Sequence, residues 1–204
     1  GAAGTTTDAF VAVFNRALDT LIYATYLGST GNETAGATSI RATTDTSFTV
    51  GMTANADLPH TNPRYFSPTN FVDTTFGGVS DFYIAKFSGI NKLYWGNYVG
   101  GADGETFNDL ELFPDGKVAF CGSGFSTLTE INSSAGRSNV NTNRDGIIGV
   151  ITSDGNTFNY LDEIGGAGAD RINDVEIITD KLYFTGDVAT GFPTSTGAFD
   201  VTYN

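Results

Sequence analysis

Residues 8–14 read DAFVAVF, and the reading of that stretch decides the fold of the whole chain. On an extended strand Phe10, Ala12 and Phe14 point one way and Ala9, Val11 and Val13 the other. Neither face is polar. A strand of this kind belongs to a sheet covered on both sides rather than one that turns a face to water. Residues 21–28, LIYATYLG, repeat the pattern, with Leu21, Tyr23 and Leu27 opposite Ile22, Ala24 and Tyr26.

The Asp-led stretch returns as DFYIAKF at 81–87 and DGIIGVI at 145–151. Each copy is followed by a second strand closed by glycine, ending at Gly28, Gly100 and Gly165. A third strand follows: TSIRA from Thr38, NDLEL from Asn108 and NDVEI from Asn173. The fourth ends at Gly51 (SFTVG), Gly122 (KVAFCG) and Gly186 (KLYFTG). Successive Asp positions lie 73 and 64 residues apart. Four motifs kept in order at such a period predict an all-β chain of three tandem four-stranded antiparallel sheets of the propeller-blade type, packed face to face. The predicted units are 8–80, 81–144 and 145–204, preceded by a connecting segment 1–7, in one repeat domain 1–204. Phe10, Phe14, Phe87, Trp95, Leu112, Phe120, Ile177 and Phe184 are the predicted core. Closed propellers need about four to eight blades, so three cannot close a ring within one chain.

Turn chemistry fits four-stranded meanders. Ser153-Asp154-Gly155-Asn156 and Pro114-Asp115-Gly116-Lys117 are hairpin signals in which glycine supplies a positive φ. The glycines that close the second strands precede polar loops and mark a bend or a close backbone approach.

The phrases DAFVAVFN (8–15), LIYATYLG (21–28), DLP (57–59) and GFPTSTGAFDVTYN (191–204) resemble the SBBP (seven-bladed β-propeller) repeat of secreted bacterial proteins. The resemblance spans nearly the whole chain and is strongest over 8–31 and 186–204. The middle unit departs from it at 125–130, where FSTLTE replaces the expected FP-containing turn. The resemblance implies blade-like sheets in an extracellular or cell-surface protein. It implies no catalytic residue, because the repeat is a scaffold used in many settings.

Bulk composition narrows the function classes. The 204 residues carry 26 glycines, and charged residues make up 16%, as expected of many short strands joined by turns. A net charge of −13 argues against nucleic acid, whose phosphates need clustered Lys and Arg. No apolar run is long enough to cross a membrane as a helix. One cysteine, Cys121, excludes an intramolecular disulfide and reads as a small buried hydrophobe. The chain begins GAAG rather than with Met, which predicts a removed leader or tag.

Chemistry is sparse. The single histidine, His60, sits between prolines in a polar loop and reads as a solvent-exposed side chain. One His and one Cys support neither the usual triads nor the common zinc constellations. Asp162 and Glu163 stand where earlier units carry Thr25-Tyr26 and Asn97-Tyr98. As strand neighbours they point to opposite faces and cannot act as one acid–base pair; an exposed edge strand is the expected setting. Asp103, Glu105 and Asp109 in the loop GADGETFND are candidate Ca²⁺ ligands, although the EF-hand pattern is missing. Asn32 and Asn132 match the N-linked acceptor pattern, and Thr20 and Thr74 lie in Asp-Thr motifs of the O-glycosylation type.

The sequence therefore predicts no catalytic residue and no required cofactor. The leading expectation is an extracellular structural protein, a filament or surface-fibre subunit whose partners are other copies of itself, joined head to tail by sheet stacking or strand addition. The alternative is a ligand- or glycan-binding module of a larger secreted or surface adhesin.

Overall fold

A computed structural model describes residues 7–29, 38–43, 47–58, 73–89, 92–125, 128 and 143–203. Among them are twelve strands and no helix: β1 (Ala9–Phe14), β2 (Leu21–Leu27), β3 (Ser39–Ala42), β4 (Ser47–Ala54), β5 (Asp81–Ser88), β6 (Leu93–Val99), β7 (Glu105–Leu112), β8 (Val118–Gly124), β9 (Asp145–Ile151), β10 (Phe158–Ile164), β11 (Arg171–Ile178) and β12 (Lys181–Asp187). Every pairing between them is antiparallel. The glycines of the two predicted hairpins do adopt positive φ, +83° at Gly116 between β7 and β8 and +74° at Gly155 between β9 and β10.

The sheets are out of phase with the sequence units by two strands. Two are complete meanders, β3-β4-β5-β6 and β7-β8-β9-β10, and two are half-sheets, β1-β2 and β11-β12. Three four-stranded sheets were expected, and two are present among the described residues. The physical difference lies in which connection stays within a sheet. The long connection from β4 to β5 joins paired strands, whereas the five residues 100–104 step from β6 to β7 of the next sheet. Stacked sheets lie about 10 Å apart, a gap five residues span easily at roughly 3.3 Å each.

The four sheets stack in chain order, and none closes on itself. Ala9 and Val11 of β1 pack on Phe48, Val50 and Met52 of β4. Phe82, Ile84 and Trp95 of the next seam meet Phe107, Phe120 and Ile147. Ala119, Cys121 and Val150 meet Ile172 and Val175 of β11. The strand β5 thus feeds two cores at once, Phe82 and Ile84 on one face and Tyr83, Ala85 and Phe87 on the other, as its two-sided sequence requires. At the central seam the Phe82 ring stands edge-on to Phe107 (5.9 Å, 87°) and to Phe120 (6.2 Å, 88°).

The predicted core divides along the same line. Phe87, Trp95 and Phe120, in complete sheets, are buried, and Leu112 and Ile177 are half-buried. Phe10, Phe14 and Phe184, in half-sheets, are 71%, 49% and 36% exposed. Their predicted burial is therefore corrected. Each belongs to a sheet that has two strands rather than four among the described residues.

Candidate functional site: two open sheet edges

The repeated Asp and the repeated Gly touch each other. A Cβ on Gly100 would lie 2.1 Å from Asp81 Oδ1 and 2.7 Å from Glu105 Oε2. On Gly165 it would lie 2.2 Å from Asp145 Oδ1 and 2.7 Å from Asp170 Oδ2, and on Gly28 it would lie 2.5 Å from Asp8 Oδ1. The space glycine leaves is filled by carboxyl groups rather than by the backbone approach expected from sequence. These acids also fasten the loops that lead into and out of their strands. Asp81 Oδ2 accepts the Gly77 N–H (2.8 Å), Glu105 Oε2 the Gly101 N–H (3.0 Å) and Asp170 Oδ2 the Gly166 N–H (2.7 Å). Asp170 Oδ1 accepts the Ala189 N–H (2.7 Å), tying the segment after β12 to the loop after β10. Burial pushes the Asp81 carboxyl up to about 7, against the Gly77 hydrogen bond, with the charge of Glu105 adding to the rise. The signal was present in the sequence: Asp and Gly recur together, 20, 19 and 20 residues apart.

Asp162 and Glu163 are buried, at 1% and 2% exposure, not on an exposed edge as expected. Asp162 accepts the Tyr160 hydroxyl (3.0 Å) and the Glu163 N–H (3.0 Å). Glu163 Oε1 accepts the Leu128 N–H (2.8 Å). Burial raises the Glu163 carboxyl to about 7 despite that hydrogen bond, with Asp145 and Asp162 nearby. Tyr98 does the same in the preceding sheet, accepting the Leu58 N–H on its hydroxyl (2.5 Å). Each accepts a leucine N–H that lies just past the second strand of its own sheet.

The three calcium candidates do not converge. Asp103 is exposed in a turn, and Glu105 points to the Gly101 amide. Asp109 faces the neighbouring sheets, where its carboxylate accepts Ser39 Oγ (2.8 Å), Arg41 (3.4 Å) and the Val175 N–H (3.4 Å). Among the described residues no three His, Cys, Asp or Glu side chains form a metal-holding group. Cys121 is buried, and burial pushes its thiol up to about 12. Thr20 is exposed at the β1–β2 turn and Thr74 is half-buried. His60, Asn32 and Asn132 lie outside the described residues.

What the structure adds is a pair of edges at opposite ends of the stack. Among the described residues β1 carries β2 on one side and no strand on the other, and β12 carries β11 and no strand beyond it. Beside each edge runs an apolar groove. One, of about 200 Å³, lies between β12 and the face of β9 and β10, lined by Ile148, Tyr160, Ile164, Leu182 and Phe184. The other, of about 220 Å³, lies between β1 and the β3-β4 face, with Ala12, Leu27, Ile40, Val50 and Met52 among its lining residues. Exposed aromatic side chains cluster at the same ends: Phe10, Phe14 and Tyr26 at one, Tyr183 and Phe184 at the other. Unpaired strand edges flanked by apolar grooves are surfaces that bind another strand.

No protein-family model matches this chain, and no curated protein does.

Proposed function

We propose that this protein is an extracellular structural subunit whose copies join head to tail, each four-stranded sheet being a propeller-type blade, to build a filament or surface fibre. One observation carries the reading: among the described residues the first and last sheets hold two strands each, and positions exposed in them are core positions in the four-stranded sheets between them. Contacts of this heterologous kind run on as a filament when the rotation per subunit does not close a ring. The resemblance of 8–31 and 186–204 to secreted SBBP repeats supports the location. The grooves at the open edges are lined mainly by aliphatic and aromatic carbons, which favours a protein strand over a glycan as their occupant.

Sedimentation and electron microscopy of the purified 204-residue protein test the proposal. Concentration-dependent growth into fibres of regular axial repeat is the expected result. A monomer of 21.5 kDa that persists at the highest soluble concentration overturns it.

A further inference from the structure

Resting on the head-to-tail reading, we propose that β12 of one copy pairs antiparallel with β1 of the next, so that two chains complete one four-stranded sheet in the order β11-β12-β1-β2. The register places Leu182 opposite Phe14, Tyr183 opposite Val13, Phe184 opposite Ala12, Thr185 opposite Val11, Gly186 opposite Phe10 and Asp187 opposite Ala9.

The register follows from the molecule's own complete sheets. In β7-β8 the pairing slips at Asn108, between Phe107 and Asp109; in β11-β12 it slips at Asn173, between Ile172 and Asp174. Aligning the slips makes Gly186 the counterpart of Gly122 and Phe184 that of Phe120. At the other end, Asp8 packs on Gly28 as Asp145 packs on Gly165, and each hairpin turns with Phe14 opposite Leu21 or Ile151 opposite Phe158. The strand β1 is therefore the counterpart of β9, and β8–β9 pairing supplies the rest: Val118 opposite Ile151, Phe120 opposite Gly149, Gly122 opposite Ile147.

Faces and sizes agree with that register. Leu182 and Phe184 already line the groove against Ile148 and Ile164 of the preceding sheet. In the joined sheet Phe10 and Phe14 fall on that same face, where their counterparts Ile147 and Ile151 are 1% and 0% exposed. Ala9 and Val11 keep the opposite face, the one they now bury on β4. Tyr183 and Thr185 turn toward the second groove, over Ile40 and Val50 of the next copy. A large residue stays opposite a small one, as Phe120 does with Gly149 and Val50 with Ala85. The Ala12 methyl requires the Phe184 ring to turn from the pose Phe120 holds over Gly149. The occupant assigned to each edge is a second copy of this chain, because β11-β12 and β1-β2 match in register the two halves of a four-stranded sheet.

A second contact comes with the register. Leu58 and Leu128 each lie four residues past the last residue of β4 and β8, and their N–H groups are held by Tyr98 and Glu163. Tyr26 is the counterpart of both acceptors and is 79% exposed. The counterpart of Leu58 and Leu128 is Phe192, whose N–H is placed to meet the Tyr26 hydroxyl of the next copy.

Paired cysteines test the register. In a Cys121→Ala background, Tyr183→Cys with Val13→Cys is expected to give a ladder of disulfide-linked oligomers on mild oxidation. Tyr183→Cys with Ala12→Cys, one residue out of register and facing the opposite side, is expected to give none. If particles form but the out-of-register pair links instead, or neither pair links, the register is wrong and the assembly reading stands. A cross-linked monomer, from β12 and β1 of one chain, also overturns the proposal. If neither this protein nor the wild type associates, the head-to-tail reading itself fails. Phe10→Arg in the otherwise native chain covers the case in which the cysteine variants do not fold. It is expected to block association while leaving the monomer's unfolding midpoint in place, and fibres formed by Phe10→Arg overturn the pairing.

Discussion

Asp81 fills the space beside Gly100 so closely that a methyl there would sit 2.1 Å from its Oδ1. Gly100→Ala should therefore destabilise the protein by about 2 kcal/mol, in the range for overpacked sites. Urea denaturation measures the loss, and it should shrink in an Asp81→Ala background, because the two changes act on one contact. The same buried carboxyl sets a pH dependence. Asp81 and Glu163 have usual values of 3.8 and 4.5 and titrate at about 7 in the fold. Between those values the folded chain keeps protons that the unfolded chain has released. Stability should thus fall as pH rises from about 4 to about 7, and then level off. Asp115 and Asp154, held low by Lys117 and Thr152, act with the opposite sign, but only below about pH 4 and at exposed sites. Thermal unfolding near pH 5 and near pH 8 checks the sign: the midpoint should be higher at the lower pH. Asp81→Asn with Glu163→Gln should flatten the difference, and an unchanged slope would show that other groups cause it.

Strand positions that are equivalent in sequence differ in burial according to whether their sheet is whole. Phe120 is fully buried, while its counterpart Phe184 is 36% exposed. In dilute monomer, Phe120→Ala should cost about 3–4 kcal/mol and Phe184→Ala under about 1 kcal/mol. Chemical denaturation of the two variants side by side measures both, and equal losses would mean that β12 is already covered in the monomer. The strands themselves were legible in the sequence. Two-sided runs such as DFYIAKF gave β5 its place between two cores, and the Gly116 and Gly155 turns formed the hairpins expected of them. The phase of the sheets was not legible, because a repeating sequence has no marked origin. A loop as short as 100–104 satisfies a hairpin or a step to the next sheet equally well. The carboxyl clamp was half legible. The spacing of Asp and Gly repeated, but their contact depends on β5 pairing with β6 so that Asp81 and Gly100 meet at one end. Nor did the fourth-strand glycines align as they read. Gly122 lies opposite Ile147, the counterpart of Tyr83, yet Met52 rather than Gly51 occupies that place against Tyr83.

Across the whole molecule two long-range terms oppose each other at the proposed joint. Every copy carries a net charge of −13, so copies repel as they approach. The joint itself is made of Phe10, Phe14, Leu182 and Phe184 with backbone hydrogen bonds, which salt screens little. Raising ionic strength should therefore lower the concentration at which fibres appear, and lowering the pH toward the sequence pI of about 4.1 should do the same. Light scattering against protein concentration at several salt levels gives the threshold directly. The opposite trend has a structural meaning of its own. Arg41 already bridges sheets by pairing with Glu111 (2.8 Å) and Asp109 (3.4 Å), and Asp174 and Glu176 of β11 are the counterparts of those two acids. If salt dissolves the fibres, charge pairs rather than these apolar contacts hold the joint. If salt promotes them, Arg41→Met should weaken each subunit by about 1 kcal/mol and leave the threshold nearly where it was.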